Sequence, residues 1–229
     1  YSNVLLAFYL LSQVVGILNG SLLLLQDYLL PKYVHLFYIG YPIVFIWLVL
    51  YYFFICSLVN TNFRIRTYSW LHFIPFLIIL VILSNKFYFK DSLEKLKLLE
   101  PGSSFYDLIR ILSFFFSIQI VVYNIAAMVK YYGYRKRVKL VTNVKPEYDT
   151  WVRIAIFTFL VACLTTIGGF FVIYFKIPVQ FNTFYISNIA FLFFYSILFF
   201  VSITSPSLVT YSDKKEKYWY SNISDFEAK

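Results

Sequence analysis

Charged side chains are scarce in this sequence of 229 residues. Asp, Glu, Lys and Arg together make up 14% of it, whereas they supply about 25% of an ordinary soluble domain. Hydrophobic residues account for 61%, and the mean hydropathy is +0.72. This balance excludes an ordinary soluble domain and predicts a chain whose helices lie in lipid.

Cysteine and histidine are also rare, with two of each. Cys56 and Cys163 both lie in apolar stretches, so neither a disulfide framework nor a Cys/His zinc spacing is available. The sequence lacks a nucleophile elbow, a phosphate-binding glycine loop and a pair of aspartates inside an apolar run. We therefore predict a protein that is not an enzyme and that uses no metal or cofactor.

Long apolar runs are what the sequence does have. A helix needs roughly 20 apolar residues to cross about 30 Å of hydrocarbon. Six stretches meet this requirement, so the sequence predicts an all-α polytopic membrane helix bundle in residues 1–204 and a cytoplasmic connector tail in residues 205–229. The predicted spans are residues 4–25, 34–58, 69–85, 106–130, 152–175 and 184–204.

The 20 Lys and Arg residues are divided unequally between the two ends of these spans. Thirteen lie after the second span, after the fourth span and in the tail, and seven lie in the alternate connections. Because cytoplasmic loops are enriched in Lys and Arg, the side with thirteen is predicted to be the cytoplasm. Both chain ends are then cytoplasmic, and the net charge of +9 indicates topology rather than nucleic-acid binding.

One connection on the opposite side contains an amphipathic stretch, residues 91–99, which Pro101 and Gly102 end. Its pattern is compatible with a short helix on the membrane surface. A capped and solvated loop accounts for the same residues, and we favour that interpretation.

Ionisable groups at the ends of spans usually face the bundle interior or an aqueous cavity. Asp107 and Arg110 stand three apart at the start of the fourth span and so share a helix face. They can form a local ion pair, which we favour, or bind a small polar or anionic ligand. A ligand pocket would add groups from the same ends of other spans: Asn19, Asp27, His35, Tyr38, Tyr185 and Asn188.

Small residues on the fifth span and amides elsewhere predict contacts between helices rather than a cofactor or transport site. The small residues let a neighbouring helix approach closely and are Ala162, Thr165, Thr166, Gly168 and Gly169. Amides inside a span usually hydrogen-bond across helices, and those here are Gln13, Gln119 and Asn124. His72 lies near the start of the third span, where we interpret it as a structural group.

The tail is predicted to be a connector rather than a finished terminus. Pro206 ends the sixth span, because proline cannot continue the helical hydrogen-bond ladder. Residues 218–220 are all aromatic, and residues 224–227 have the pattern of a capping box that begins a helix. A disordered tail is the alternative.

Five short patterns follow one another along the chain. They are Asn-Val-Leu-Leu-Ala-Phe-Tyr-Leu-Leu at residues 3–11, the run at 48–58, His-Phe-Ile-Pro-Phe at 72–76, Trp-Val-Arg at 151–153, and Lys-Tyr-Trp-Tyr-Ser-Asn-Ile-Ser at 217–224. In order and spacing they resemble the membrane-embedded sensor half of Bacteroidetes-type AraC-family transcription regulators. The run at 48–58 keeps Tyr52, Ser57 and Leu58 of the family pattern, but has Leu48 and Val49 where that pattern has Gly-Pro.

In that family about seven helices precede a cytoplasmic helix-turn-helix domain, so the resemblance implies a further span before Tyr1 and a DNA-binding domain after Lys229. It implies a signal-sensing module of the bacterial cytoplasmic membrane, with the lipid bilayer and an unknown ligand or membrane protein as partners. DNA would be a partner only through the further domain, and a homodimer is allowed. Two other classes stay open: an accessory or scaffold subunit of a larger membrane complex and, less favoured because no inverted repeat is visible, a small-solute transporter.

The predicted topology has a direct test. The loop of residues 86–104 is expected outside the cell and the loop of residues 131–150 inside, because seven Lys and Arg residues lie between Lys130 and Arg153. A single cysteine placed in each loop is treated, on intact cells, with a membrane-impermeant reagent and should react only in the first loop. Reaction of the second loop alone would reverse the orientation.

Overall fold

The structure is a computed structural model that describes residues 2–60, 63–100, 102–141, 146–175 and 183–204. Within these ranges all regular secondary structure is helical, which confirms the predicted all-α class. The described α-helices are α1 (Ser2–Leu24), α2 (Gln26–Tyr33), α3 (Tyr41–Val59), α4 (Ile74–Leu83), α5 (Ser92–Leu98), α6 (Ser104–Val141), α7 (Pro146–Tyr174) and α8 (Thr183–Thr204). The other helical segments are two 3₁₀ turns, Val34–Leu36 and Thr67–Phe73, and a π-helical turn, Ser84–Tyr88.

Five helical segments of the described chain are long and apolar enough to cross a membrane. Four of them are built on α1, α3, α6 and α7, and the fifth joins the Thr67–Phe73 turn, α4 and the Ser84–Tyr88 turn. The predicted membrane-helix character is confirmed to this extent. α8 lies where the sixth span is predicted and has 22 residues, but it is not one of the five, so the count of six stays a prediction.

The prediction that the second span begins at Val34 is wrong, because α3 begins at Tyr41. Between these residues the chain makes a 3₁₀ turn and then a loop in which Tyr38 has a left-handed φ of 61°. A non-glycine residue rarely adopts this conformation, which interrupts a right-handed helix. Pro42 then lies in the first turn of α3, where its missing N–H leaves no hydrogen bond unmade.

Two helices extend further than the apolar pattern predicts. α6 has 38 residues and continues past Lys130 to Val141, and α7 begins at Pro146, before the apolar run itself. At about 1.5 Å per residue α6 is roughly 57 Å long, nearly twice the hydrocarbon thickness of about 30 Å. If α6 crosses a bilayer, its last turns extend beyond the hydrocarbon into the region richest in Lys and Arg.

The amphipathic stretch at residues 91–99 forms a helix, so the preferred prediction of a solvated loop is wrong. α5 covers Ser92–Leu98, and the Asp91 carboxylate caps it by accepting the Glu94 N–H at 2.7 Å. α5 packs against the Val34–Leu36 turn and the start of α6. This arrangement places α5, the Val34–Leu36 turn and the start of α6 at one end of the molecule, which we call the α5 end.

α3 is the most buried of the five candidate spans, and other helices assemble around it. It packs against α1, α4 and α6, while α7 packs against α6 and α8. Tyr51 of α3 stacks on Phe159 of α7 with ring centroids 3.7 Å apart, and Tyr9 of α1 lies 6.0 Å from Tyr51. Such ring pairs add about 0.5–1.5 kcal/mol beyond the burial of their area. The described core is therefore joined largely by aromatic rings.

The close approach of α1 to the loop before α3 predicts one intolerant glycine. A Cβ atom on Gly40 would lie 3.0 Å from the Asn19 Cβ and 3.2 Å from the Val15 carbonyl oxygen. We expect Gly40→Ala to lower the free energy of unfolding by about 1–3 kcal/mol through overpacking, measured by denaturant titration in detergent micelles. Gly168→Ala is the matched control, because a Cβ there meets no atom within 4 Å. Equal losses in both variants would contradict the close approach.

Candidate functional site

Asp107 and Arg110, the pair at the centre of the predicted ligand pocket, bind each other. Both lie in the first turns of α6, and an Arg110 guanidinium nitrogen donates a hydrogen bond to the Asp107 carboxylate. The Arg110 and Asp107 side chains are 49% and 58% exposed. They form a local surface ion pair, the alternative that the sequence favours, and pairs this exposed contribute about 0–1 kcal/mol.

The other predicted pocket residues lie in different surroundings. Asn19 is buried against Gly40, whereas Asp27 is exposed on α2. Tyr185 and Asn188 belong to α8, but their side chains lie outside the described part of the structure. No hydrogen bond or ion pair among the described residues joins Asn19 or His35 to the Asp107 and Arg110 pair.

His35 is the predicted site residue that the structure brings together with other polar groups. It lies in the Val34–Leu36 turn, with its Nε2 atom 2.8 Å from Ser92 Oγ and its Nδ1 atom 2.8 Å from Lys95 Nζ. Because an ammonium has donors only, Nδ1 accepts from Lys95, so Nε2 carries the ring proton and donates to Ser92. These contacts select one neutral tautomer of the imidazole. We call His35, Ser92 and Lys95 the His35 cluster.

Lys95 is the buried charge of the His35 cluster. It is 3% exposed, and its Nζ atom also lies 5.2 Å from the centre of the Phe87 ring, within cation–π range. No carboxylate in the described ranges forms an ion pair with it, since Glu94 pairs with Lys90 at 3.3 Å. Burial lowers the pKa of Lys95. The Lys95 ammonium therefore contacts the His35 imidazole lone pair and the Phe87 ring face, whereas a buried charge is expected to have a counter-ion.

Further contacts hold the loop that follows His35. The Tyr88 hydroxyl donates to the Tyr38 carbonyl oxygen at 2.8 Å. The Tyr38 ring meets Phe105 of α6 edge to face, with centroids 5.4 Å apart, and Phe87 stacks on Phe105 at 4.8 Å. The left-handed backbone of Tyr38 costs about 1–2 kcal/mol, so these contacts maintain a strained loop. Strain of this kind is concentrated at functional sites.

Polar atoms without a partner lie in the bundle interior, on α1 and α3. The Tyr51 hydroxyl, both ends of the Gln13 amide and the Trp47 indole nitrogen are buried and meet no hydrogen-bond partner among the described residues. An unpaired polar group inside hydrocarbon costs several kcal/mol. The observed packing of the interior therefore carries the free-energy cost of these unpaired groups.

Gln119, Asn124 and His72 each make one side-chain hydrogen bond, while the Gln119 and Asn124 amide oxygens meet no partner among the described residues. Gln119 of α6 donates to the Phe45 carbonyl oxygen of α3 at 3.0 Å, the interhelical bond expected of an amide in a span. Asn124 instead donates within α6 itself. His72 Nδ1 lies 2.7 Å from the Tyr123 hydroxyl, and this contact joins the Thr67–Phe73 turn to α6.

The small residues predicted on the fifth span do not share one environment. Ala162 and Gly169 are buried, whereas Gly168 is exposed. The Thr165 and Thr166 hydroxyls donate to the Ala162 carbonyl oxygen at 2.7 and 3.1 Å, so both are satisfied within α7. Ala162 and Gly169 are thus the members of the set that neighbouring residues cover.

Asp149 collects polar contacts where the end of α6 meets the start of α7, a region that we call the basic end. Its carboxylate pairs with Arg135 of α6 at 3.5 Å and with Arg153 of α7 at 3.4 Å. The Tyr131 hydroxyl donates to the same carboxylate and lies 3.2 Å from the Asp149 carbonyl oxygen. Because the Asp149 side chain is only 19% exposed, these ion pairs are screened less than surface pairs. They connect α6 to α7.

Sequence reasoning missed Lys95, Ser92 and Asp149. A signal for Lys95 is present, because positions three and four apart share a helix face and Leu98 and Leu99 place Lys95 on the apolar side of α5. Asp149 has no such signal, since it precedes the apolar part of α7 among ordinary loop charges.

Comparison with known proteins finds no family model, curated protein or solved structure that matches this chain. Within the described ranges, no three His, Cys, Asp or Glu side chains come together as a metal site would require. The class that the fold defines is an α-helical membrane protein with five candidate spans. Its described polar clusters lie at the two ends of α6.

The hydroxyl of Tyr88 should stabilise the strained Tyr38 loop. We expect Tyr88→Phe to lower the free energy of unfolding by about 1 kcal/mol, because it keeps the ring but removes one of the two donors to the Tyr38 carbonyl, leaving only the Tyr41 N–H. Tyr28→Phe is the matched control, since Tyr28 is 81% exposed, and it should be neutral. Thermal unfolding in detergent measures both variants, and equal midpoints would show that the hydroxyl has no supporting role.

Proposed function

We propose that this chain is the signal-sensing membrane module of a bacterial membrane-bound transcription regulator. In this proposal the α5 end faces outward, while the basic end and both chain ends face the cytoplasm. A conformational change then passes to a DNA-binding domain beyond residue 229. The sequence resemblance to AraC-family membrane regulators supports the class, and the distribution of Lys and Arg supports the orientation.

The observation that carries the proposal is the continuity of α6 between two polar clusters. Near its start, Phe105 packs on Tyr38 and Phe87, next to the His35 cluster. Near its end, Arg135 pairs with Asp149. About 30 residues separate Phe105 from Arg135, which is roughly 45 Å of uninterrupted helix. A shift or rotation of α6 at one cluster would therefore also move the side chains at the other cluster.

Signalling also needs two arrangements of the bundle that a ligand or partner stabilises unequally. The interior supplies a physical reason for a second arrangement, because Gln13 and Tyr51 bury polar atoms that meet no partner among the described residues. A packing of α1 against α3 that pairs these atoms recovers part of a cost of several kcal/mol. Such a repacking would also move α6, which packs directly on α3.

The alternative is an accessory or scaffold subunit of a larger membrane complex. Phe114, Phe115, Phe157 and Phe193 are more than half exposed on the helix surfaces, and either lipid or a partner subunit covers such rings. A small-solute transporter is less favoured, because the sequence shows no inverted repeat.

The test begins with the natural full-length protein. We expect it to contain a basic helical domain that binds DNA with strong salt dependence, because phosphate contacts release counter-ions. Residues 1–229 alone should not bind. A natural chain that ends within a few residues of Lys229 would defeat the regulator proposal and favour the subunit alternative.

Coupling through α6 is tested with a variant in the same protein. Asp149→Asn removes the charge that pairs with Arg135 and Arg153, and it should change reporter transcription by about fivefold or more, the low range of an allosteric coupling. Lys136→Gln is the matched control, since Lys136 is an exposed neighbour of Arg135. Protein abundance is measured in parallel. Equal output from Asp149→Asn and the wild type would exclude this route.

A further inference from the structure

The contact between Lys95 and His35 joins two nitrogen bases through one proton. The Lys95 ammonium donates this proton, and the Nδ1 lone pair of His35 accepts the bond over 2.8 Å. A second proton produces an imidazolium beside an ammonium, and both groups are then donors without an acceptor between them. The contact changes from a hydrogen bond into repulsion between like charges.

We propose that His35 and Lys95 form a pH-dependent latch, which holds α5 on the Val34–Leu36 turn and releases it when the surrounding pH falls. The direction of the pH effect follows from the number of protons that each state binds. The held state binds one proton fewer than the released state, so acid favours release and alkali favours holding.

Charges on α5 itself do not offset the second proton. The Asp91 carboxylate accepts the Glu94 N–H, and the Glu94 carboxylate pairs with Lys90. Lys97 is exposed and adds positive charge. The described acids of α5 are therefore engaged away from His35, and Lys95 is the charged side chain of α5 that contacts the imidazole.

Other elements near the turn add no compensating contact. α2 also packs against the Val34–Leu36 turn, and the π-helical turn supplies Phe87, whose ring face meets Lys95. The Tyr88 hydroxyl is bonded to the Tyr38 carbonyl. The remaining titratable groups nearby are exposed and have no described hydrogen bond or ion pair with His35: Asp27, Tyr28, Lys32, Tyr33, Lys86 and Asp107.

A few direct contacts would transmit the release of α5 to the start of α6. The Ser103 hydroxyl donates to the Leu98 carbonyl at the end of α5 and accepts from the Tyr106 N–H at 3.2 Å in the first turn of α6. Lys95 also rests on Phe87, which stacks on Phe105 of α6. The latch goes beyond the proposed function, because it concerns how α5 is held, whichever signal the protein transmits.

The experiment measures the distance from α5 to α2 in the purified full chain in lipid nanodiscs, where both faces are open to the buffer. Spin labels are attached at Leu93→Cys on α5 and Tyr28→Cys on α2, which are 73% and 81% exposed. The native Cys56 and Cys163 are replaced by alanine. We expect one narrow distance distribution at pH 8 and a longer, broader one at pH 5, with the ratio of held to released protein falling by up to about tenfold per pH unit.

Three variants distinguish the latch from a general effect of acid. His35→Gln keeps an acceptor for Lys95 but cannot titrate, and Lys95→Met removes the neighbouring charge while keeping the chain length. Both should lose the pH dependence, whether α5 is then held or released at both pH values. His72→Gln changes the second of the two histidines in the chain and should keep the wild-type transition.

Two results would overturn the latch. The first is a wild-type distance distribution that is the same at pH 5 and pH 8. The second is a transition that survives in His35→Gln or disappears in His72→Gln, because the titrating group would then be elsewhere.

Discussion

A hydrocarbon interior offers the backbone no hydrogen-bond partner, so every N–H and C=O of a span must bond within its own helix. Helices that satisfy themselves in this way can recognise one another only through side chains. In this chain aromatic rings provide much of that recognition. Tyr51 of α3 contacts rings of both α1 and α7, and Trp47 of α3 contacts Phe116 of α6 and Phe191 of α8. α3 is therefore central because its aromatic rings contact rings of several different helices.

The same constraint makes buried polar side chains costly, and the structure pairs some of them but not others. At the ends of α6 they find partners, as Lys95 does with His35 and Arg135 does with Asp149. In the interior, Gln13 remains buried with both amide ends unpaired within the described structure. End contacts of this kind are few and specific, while unpaired interior groups reduce the stability of the observed packing.

Two of the departures from regular α-helix, the 3₁₀ turn Val34–Leu36 and the π-helical turn Ser84–Tyr88, lie at the His35 cluster. The π-helical turn Ser84–Tyr88 places Phe87 under Lys95 and the Tyr88 hydroxyl on the Tyr38 carbonyl. A regular helix would rotate these two side chains to other positions, since each π turn adds a residue to the repeat. The π-helical turn and the buried Lys95 thus belong to one local structure. Its contact with Phe105 makes it continuous with α6.

The sequence by itself determined the helical class and the approximate places of the spans, because an apolar run of roughly 20 residues is a local property that the bilayer selects directly. It also predicted the Asp107 and Arg110 ion pair, since a spacing of three is enough to make neighbours on a helix. The start of α3 and the His35 cluster were decided by tertiary structure alone. His35 and Lys95 are 60 residues apart, and Tyr38 is held by a tyrosine 50 residues away. Such contacts depend on which span ends meet in space, and no local period or composition contains that information.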